Sequence, residues 1–254
     1  MKPNEILYNI RKNESAFDLL FSEEYRFSEH LYKQSDIALP DMYHHNAFIT
    51  DGIPTEEELA AAENFQKENG HTFFLIKSQE PLPPATIKQF GLEEDITDTM
   101  LLQEGYLEKW KYNPSVTVKD MKDSDIADDI LKTELKNYGT AYGEDFVKRK
   151  MHRYLEASKK HPGFHYFGAY INGIITGACY AFCMANCVCI DGLVVNEEFR
   201  KQYVATTLLS HIVKNFGKNV FLHADANDTP KEMYARMGFT IIDKVYEYNY
   251  EEEP

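Results

Sequence analysis

Several residue types are scarce in this chain of 254 residues, and their scarcity excludes classes of protein. There is one tryptophan, and the only four cysteines lie within eleven residues, at Cys179, Cys183, Cys187 and Cys189. These cysteines lack the two-residue spacing and the added histidines of a zinc site. We therefore expect buried thiols on neighbouring strands and no metal site.

Positive charge is also scarce, because 27 lysines and arginines face 41 acidic residues, giving a net charge of −14. So acidic a chain is a poor ligand for nucleic acid or an anionic membrane, and it favours cationic or neutral substrates. No apolar run approaches the ~18 residues of a membrane span. The N-terminal sequence lacks the apolar stretch of a secretory signal, which predicts a cytoplasmic protein that does not act on membranes.

The second half of the chain alternates between strand and helix patterns. Strands are predicted over Val116–Val118, His165–Ile171, Ile174–Cys183, Cys187–Val195, Asn219–Asp225 and Thr240–Tyr250. Helices are predicted near Ile126–Leu135, over Asp145–Ser158 and Val204–Phe216, and from Pro230 onward. The pair Asn172-Gly173 predicts a tight hairpin, and the nearly all-apolar strand Cys187–Val195 is expected to be central. The fold class is α+β.

The first half repeats part of this order at an offset of 147 residues. Phe73–Leu92 aligns without a gap on Val220–Phe239, and Gly91 then meets Gly238. The same offset places Met42–Thr50 on the strand that ends near Asn196, and a helix over Glu56–Glu68 on the helix after Tyr203. A shared order of this kind indicates an internal duplication. We predict two domains, 1–112 and 113–254, joined near Leu107–Pro114.

A basic turn stands immediately before the helix at Val204. Arg200 and Lys201 can make charge-assisted bonds to a phosphate, and a helix N-terminus adds free amides and a positive dipole end. Tyr203 stands where such a turn usually has glycine, and tyrosine has poor access to positive φ. We interpret the turn as an atypical cofactor loop.

The order of apolar strand, basic turn, helix, strand and "NDTPKEMYARMGF" resembles the GNAT-type N-acetyltransferase superfamily. The family's pyrophosphate loop reads Q/R-x-x-G-x-G/A; Arg200 and Ala205 match its ends, and Tyr203 replaces its middle glycine. The downstream pattern of the family is matched at Asn227, Tyr234, Gly238 and Phe239. The resemblance covers about Val116–Tyr250. It implies the GNAT fold, a central mixed, mostly antiparallel sheet flanked by helices, preceded here by a partial GNAT-like N-terminal domain.

The resemblance also implies an activity, the direct transfer of an acyl group from acetyl-CoA, or another acyl-CoA, to a small-molecule or peptide amine. Asn227 would bond the pantetheine arm, and Tyr234 would protonate the departing thiolate. The strand at Leu193, Val194 and Val195 would pair with the pantetheine and polarise the thioester. The remaining implied contacts with the cofactor are Arg200, Lys201, Gln202, Tyr203, Val204, Ala205 and Thr206. The resemblance also allows a homodimer.

Each of these residues has a plainer interpretation. Asn227 also fits an ordinary turn, Tyr234 a core aromatic, and Gly192 either a weak point or a bulge in its strand. Asp191 is the one carboxylate in an apolar strand, where burying a charge is energetically costly unless the charge has a partner or a catalytic role. It is either the general base or a hydrogen-bonded structural residue. Glu144 is the rival base, in a segment that equally fits a mobile loop.

The N-terminal copy is expected not to bind coenzyme A. Glu80 and Ile87 stand in place of Asn227 and Tyr234, and the acidic segment Asp51–Glu58 replaces the basic turn. The alternative function for the whole chain is a catalytically inactive CoA-binding or protein-interaction module. The presence of both Asn227 and Tyr234 favours the enzyme.

Overall fold

A computed structural model describes residues 3–217, 219–226 and 230–251, which form seven α-helices and eleven β-strands. The helices are α1 (Pro3–Asp18), α2 (Glu56–Glu68), α3 (Pro84–Gln89), α4 (Ala127–Tyr142), α5 (Glu144–Lys160), α6 (Val204–Phe216) and α7 (Pro230–Arg236). The strands are β1 (Glu23–Arg26), β2 (Leu31–Ser35), β3 (Phe48–Thr50), β4 (Phe73–Ser78), β5 (Glu93–Leu102), β6 (Val116–Asp120), β7 (Phe164–Ile171), β8 (Ile174–Met184), β9 (Cys187–Val195), β10 (Val220–Asp225) and β11 (Phe239–Glu251).

The elements predicted for the second half are present. Strand β9 and helix α6 have the predicted bounds, and the other predicted elements differ by a few residues at their ends. Asn172 and Gly173 join β7 to β8 with φ of 51° and 79°, as the two-residue hairpin requires. The sheet is mixed and mostly antiparallel with helices packed on it, so the predicted fold class is confirmed. Among the described residues, no helix is long and apolar enough to span a bilayer.

The chain forms two compact units, and each takes in separate stretches of the sequence. The first unit contains the described residues of Met1–Ala16, Met100–His223 and Met233–Thr240. The second contains those of Phe17–Thr99, Ala224–Glu232 and Ile241–Pro254. The expected boundary after residue 112 falls within the first unit, and the division into domains 1–112 and 113–254 stays a prediction.

The first unit is a sheet with helices on both faces. Its strands follow the order β6-β7-β8-β9-β10, and all neighbours are antiparallel except β9 and β10. Helix α6 packs on one face, and α4 and α5 pack on the other. The alternation of side chains along β7 shows why: Phe167 contacts His211 of α6, whereas the adjacent Tyr166 bonds Glu134 of α4.

The second unit has the strand order β1-β2-β3-β4-β11-β5. Its segment β3-α2-β4-α3-β5 repeats the order β9-α6-β10-α7-β11, and β3 and β4 are parallel as β9 and β10 are. Adding 147 to the bounds of β4 (73–78) gives 220–225, the bounds of β10. The order of elements in the chain is therefore repeated.

Strand β11 departs from a simple repetition. It corresponds to β5 in the repeat, yet it pairs antiparallel with β4 of the second unit. Tyr248 of β11 is fully buried in that unit's core, where its hydroxyl accepts a hydrogen bond from the Leu82 amide and donates one to Glu94. The last strand of the C-terminal repeat thus completes the core of the second unit.

The strand expected over Met42–Thr50 is only partly present. Residues Tyr43–His45 form a 3₁₀ turn, and only Phe48–Thr50 is a strand. The Asn46 side chain explains the difference, because its amide donates to the carbonyl oxygens of Leu39 and Met42. Bonds of this kind favour a compact turn over an extended strand.

Helix α1 is held to the first unit by one buried amide. The Asn13 side chain is fully buried, and its Nδ2 lies 3.1–3.2 Å from the carbonyl oxygens of Phe182, Met184 and Cys187, around the turn between β8 and β9. Asn13 therefore bonds helix α1 to the backbone of the β8–β9 hairpin.

We predict that Asn13→Ala lowers the free energy of unfolding by about 1–3 kcal/mol, since it removes this buried hydrogen bonding between α1 and the hairpin. The matched control is Asn215→Ala, because Asn215 is exposed and bonds only the His211 carbonyl within its own helix. Urea unfolding followed by circular dichroism measures both. Equal midpoints for the two variants would contradict the role of Asn13.

Candidate active site

Strand β9 carries a bulge in its second half. The pairs Ala178–Val194 and Tyr180–Asp191 leave one residue of β8 opposite two of β9, Gly192 and Leu193. Gly192 has φ of 62°, and a Cβ at this position would lie 2.8 Å from the Tyr180 ring. Only glycine fits this conformation and this spacing, so Gly192 marks a bulge and is more than a weak point of the strand.

The bulge coincides with the place where β9 leaves its parallel neighbour. Pairing of β9 with β10 extends over Val188–Ile190, whereas β9 itself continues to Val195. The backbone of residues 191–195 therefore has an edge that is not engaged with β10. Leu193 and Val195 are half-buried here, and Val194 is buried. An edge of this kind can accept an extended ligand by backbone hydrogen bonds.

The basic turn reaches the conformation that glycine would normally supply. Tyr203 is the N-cap of α6 with φ 58° and ψ 23°, and Lys201 also has a positive φ of 61°. Tyrosine was expected to disfavour positive φ, but hydrogen bonds from neighbouring residues stabilise this conformation. The hydroxyl and amide of Thr207 donate to the Tyr203 carbonyl at 2.7 and 3.0 Å, which holds the turn against the helix.

Two further contacts brace the turn from outside. Asn113 donates from its Nδ2 to the Gln202 carbonyl at 3.1 Å, and its amide bonds Thr207 Oγ1 at 2.9 Å. Arg200 donates from Nε to the carbonyl of Val195, the last residue of β9. The loop is therefore tied both to the end of the strand and to the start of the helix.

The first turn of α6 is open for an anion. It has no side-chain cap and no acidic residue, and its first amides have no acceptor within the helix. Arg200, Lys201, Gln202 and Tyr203 are exposed, and Ala205 and Thr206 are half-buried. Val204 is buried, so only its backbone amide can face a ligand. Asn227 lies outside the described residues.

The corresponding helix in the second unit, α2, has a capped N-terminus. Thr55 Oγ1 accepts from the Glu58 amide and Glu58 Oε2 accepts from the Thr55 amide, a complete capping box. Glu56 and Glu57 add negative charge to the same turn. The amide capping that α6 lacks is thus present in α2. The side chains at this N-terminus are acidic in α2, whereas those before α6 are basic.

Tyr234 of α7 occupies a half-buried position, and its ring packs edge-on against Phe239, with centroids 5.9 Å apart. Burial raises the pKa of Tyr234 well above its usual value, and the negative charge of Asp191 raises it further. Tyr234 is therefore a protonated phenol at neutral pH and suits the role of a proton donor.

Asp191 is exposed, although its strand is otherwise apolar. Its Oδ2 accepts from the Tyr180 hydroxyl at 2.5 Å, and its Oδ1 accepts from the Gly192 amide at 2.6 Å. A buried charge in this strand would be costly, and the Asp191 carboxylate avoids that cost by being exposed, immediately before the bulge. Asp191 is both hydrogen-bonded and accessible.

Glu144 is the first residue of α5 and forms an exposed ion pair with Lys148 at 2.8 Å. The bond to Lys148 lowers the pKa of Glu144. The Glu144 carboxylate is therefore already paired with a lysine of its own helix.

Glu134 of α4 is a buried carboxylate that the sequence does not single out. It is 3% exposed, and Tyr166 donates a hydrogen bond to its Oε1 at 3.0 Å. Burial raises the pKa of Glu134; Lys150 and Tyr166 oppose this shift, and Asp191 adds to it. A signal was present, because Glu134 follows Ile126 and Ile130 at steps of four, on the buried stripe of the helix.

The cysteines lie on the described strands β8 and β9, and none of the four forms a disulfide bond. Cys179 and Cys187 are buried, and Cys183 and Cys189 are half-buried. Burial raises the pKa of Cys183 to about 12 and of Cys187 to about 11, which disfavours a nucleophilic thiolate. Within the described part of the chain, no three His, Cys, Asp or Glu side chains are grouped to hold a metal ion.

The first unit thus combines a bulged strand that leaves its parallel neighbour with an uncapped helix N-terminus. Residues 128–239 match the model of the acetyltransferase (GNAT) family, and this part of the chain is a GNAT domain. The resemblance read from the sequence is confirmed, and it supports acyl transfer as the general reaction.

Solved structures give the same fold over almost the whole chain. A conserved protein of unknown function from Staphylococcus epidermidis is 17% identical, with a TM-score of 0.79 over 91% of this chain and 95% of that one. A GCN5-related N-acetyltransferase from Kribbella flavida is 13% identical, with a TM-score of 0.66 over 96% and 95%. A tandem GNAT protein from the clavulanic acid biosynthesis pathway is 14% identical, with a TM-score of 0.58 over 88% and 79%. Comparison with curated proteins gives no match.

The positive φ of Tyr203 leads to a prediction about stability. Asparagine tolerates the left-handed region and a β-branched residue does not, so Tyr203→Asn should be more stable than Tyr203→Val by about 1 kcal/mol or more. Both variants keep the Tyr203 carbonyl that Thr207 uses. Urea unfolding of the two variants measures the difference, and a valine variant as stable as the asparagine variant would contradict it.

The raised pKa of Glu134 predicts a pH dependence of stability. The folded state holds this proton more tightly than the unfolded chain, whose pKa is near the usual 4.5, so the stabilising term is complete below that pH. It is lost as the pH rises through the folded pKa. Glu134→Gln cannot ionise and keeps an acceptor for Tyr166. The urea midpoint of Glu134→Gln, measured relative to that of the wild type, should therefore increase as the pH rises above about 4.5.

Glu144→Gln is the control of opposite sign. The lowered pKa of Glu144 gives stability that is present above pH 4.5 and lost as the pH falls. The urea midpoint of Glu144→Gln, measured relative to that of the wild type, should therefore decrease as the pH rises. Urea midpoints between pH 4 and 8 measure both effects. A difference for Glu134→Gln that is flat across this range would refute the assignment.

Proposed function

We propose that the protein is an acetyl-CoA-dependent N-acetyltransferase that acts on an amine. The observation that carries this is one continuous arrangement in the first unit. The free edge of β9 beyond Ile190 leads into the open N-terminus of α6, and the same strand carries the exposed carboxylate of Asp191.

The residues present fit the coenzyme. The backbone of Leu193–Val195 is available for the pantetheine arm, and the amides of Val204, Ala205 and Thr206 suit the pyrophosphate. Arg200 and Lys201 supply the positive charge, with Gln202 and Tyr203 completing the loop. Asn227 enters through the family resemblance as a further contact with the pantetheine. When bound, acetyl-CoA supplies the activated acetyl group.

Two residues handle the protons. Asp191 takes a proton from the amine nitrogen, and Tyr180 keeps its carboxylate oriented through the 2.5 Å bond. Bound acetyl-CoA would supply the acetyl carbon to which this nitrogen bonds, with the thiolate as the leaving group. Tyr234 would donate the proton that the thiolate takes up. The buried thiols are not needed as nucleophiles, so transfer is direct.

The N-terminal repeat has a different role in this proposal. Its helix α2 is self-capped and acidic, and Ile87, in the place of Tyr234, packs against the core of the second unit. We propose that the part within 1–112 keeps the fold without binding coenzyme. The competing function, an inactive module that binds coenzyme A or another protein, shares the open α6 but gives no role to the Tyr234 phenol or to the exposed Asp191 carboxylate.

We predict that Tyr234→Phe lowers kcat by about 10²-fold and leaves acetyl-CoA affinity nearly unchanged, because it removes one proton and little contact surface. Release of coenzyme A in the presence of amines measures kcat. The single tryptophan, Trp110, stacks on Phe239, which packs against Tyr234, so its fluorescence reports binding independently of turnover.

The outcomes separate the two functions. Binding together with turnover that depends on Tyr234 supports the enzyme, and binding without turnover for any amine supports the inactive module. Absence of both a fluorescence change and a rise in Tm at millimolar acetyl-CoA would refute the coenzyme assignment itself.

A further inference from the structure

His223 of β10 stands level with Asp191 of β9 at the place where these two parallel strands separate. The last paired residues are Leu222 and Ile190, so His223 and Asp191 are the next residue on each strand. The side chain of His223 is 27% exposed, and Asp191 is exposed. Both side chains are therefore accessible at the opening between β9 and β10.

The two side chains project from the same face of the sheet. Phe221 pairs with Cys189, and residues at the same level of neighbouring strands share a face. Two positions further on, the alternation of side chains returns to that face, which puts His223 and Asp191 on it. The rings of Phe221 and His223 lie 5.7 Å apart, as this alternation requires. Asp191 bonds Tyr180, whose ring packs on helix α5, so this face is the one away from α6.

Helix α1 supplies a carboxylate to His223. Glu14 Oε1 lies 2.9 Å from His223 Nε2 and forms an ion pair with the imidazole when the imidazole is protonated. This oxygen is shielded from solvent, and the described residues offer it no regular hydrogen bond. The adjacent Asn13 bonds α1 to the β8–β9 hairpin, which fixes the helix beside the sheet. A positive charge on His223 thus compensates a carboxylate oxygen that water does not reach.

We propose that His223, oriented by Glu14, is a second proton acceptor in acyl transfer. This inference rests on the proposed function. An ammonium nitrogen carries three protons and the amide product carries one, so two protons leave the nitrogen. His223 takes the first, which frees the lone pair, and Asp191 takes the second as the nitrogen bonds to the acetyl carbon. Tyr234 gives one proton to the sulfur, so each turnover releases one proton to solvent.

An imidazole suits the first of these steps better than a second carboxylate. Histidine is the side chain whose charge ordinarily changes between pH 5 and 8, so at neutral pH it can both accept and release a proton. A carboxylate beside the ring stabilises the imidazolium that forms. Glu14 lies outside residues 128–239, so the pair of Glu14 and His223 uses a part of the chain that the family model does not cover.

Two amines of similar size separate the two proton transfers. Ethylamine is an ammonium ion at pH 7, whereas 2,2,2-trifluoroethylamine is mostly neutral and has one proton fewer to lose. With acetyl-CoA saturating, His223→Gln should lower kcat/KM, measured by coenzyme A release, by about 10²-fold for ethylamine and much less for trifluoroethylamine. Each amine is compared with itself in the wild type. Equal losses for the two amines, or no loss for either, would overturn the role of His223.

The control variant is His165→Gln. His165 also forms a half-buried ion pair, with Asp120 at 2.6 Å, but its ring packs on Phe216 of α6, on the opposite face of the sheet. This variant should leave kcat/KM for both amines as in the wild type. A loss selective for ethylamine in His165→Gln would show that the effect is not specific to His223 and would refute the assignment.

Glu14→Gln tests the positioning residue, because it removes the charge beside His223 and keeps the size of the side chain. Without this charge the imidazolium is less stable, so the acidic limb of the pH profile of kcat/KM for ethylamine should move to lower pH by about one unit. The other titratable side chains on this face of the two strands, Cys189, Asp191 and Asp225, are the same in both proteins. A merely structural role for Glu14 would lower kcat/KM at every pH without moving the limb, which would refute its positioning role.

Failure of this inference is distinct from failure of the proposed function. Coenzyme A release that depends on Tyr234 but is unchanged in His223→Gln leaves the N-acetyltransferase in place and refutes the role of His223. If the wild type releases no coenzyme A with any amine, the proposed function is refuted, and the role of His223 with it. Acetyl-CoA binding by each variant, followed by Trp110 fluorescence, shows whether a variant that has lost activity is still folded.

Discussion

The arrangement of the site depends on the bulge at Gly192. With one extra residue and a positive φ, β9 stops pairing with β10 after Ile190. Asp191 stands immediately before the two bulged residues and still pairs in register with Tyr180. The ring of Tyr180 fills the space that any larger residue at 192 would need. The bulge therefore creates a free backbone edge directly after the exposed carboxylate.

The second constraint is electrostatic and is seen by comparing two helices in equivalent places of the repeat. Helix α2 bonds its first amides to its own Thr55 and Glu58, and it carries three acidic residues in its first turn. Helix α6 has neither a cap nor an acidic first turn, and cations precede it in the chain. A helix dipole favours anions at its N-terminus only when that end is free. The two copies thus share a fold and differ in what they can bind.

Most of the elements around the site could be read from periodicity and turn residues, because those signals act over a few residues. Asn172-Gly173 is one example, and the bounds of β9 and α6 are others. The conformation of Tyr203 could not be read in this way. Its positive φ is unfavourable for tyrosine alone and is maintained by Thr207 and Asn113, which are four and ninety positions away in the chain. The sequence does not single out Glu134, because the importance of a carboxylate on an apolar stripe depends on its hydrogen bond with Tyr166 and on the charge of Asp191. Both residues are far from Glu134 in the chain.

Local patterns and residue types in the sequence predict the α+β class, the family resemblance, the repeat at 147 residues and the choice of Tyr234 and Asp191 as chemical groups. Three features appear only in the folded chain: β11 completes the second unit, α1 bonds to the β8–β9 turn of the first, and Tyr166 bonds Glu134. Each of these depends on contacts between residues far apart in the chain, and such contacts leave no periodic trace in the sequence.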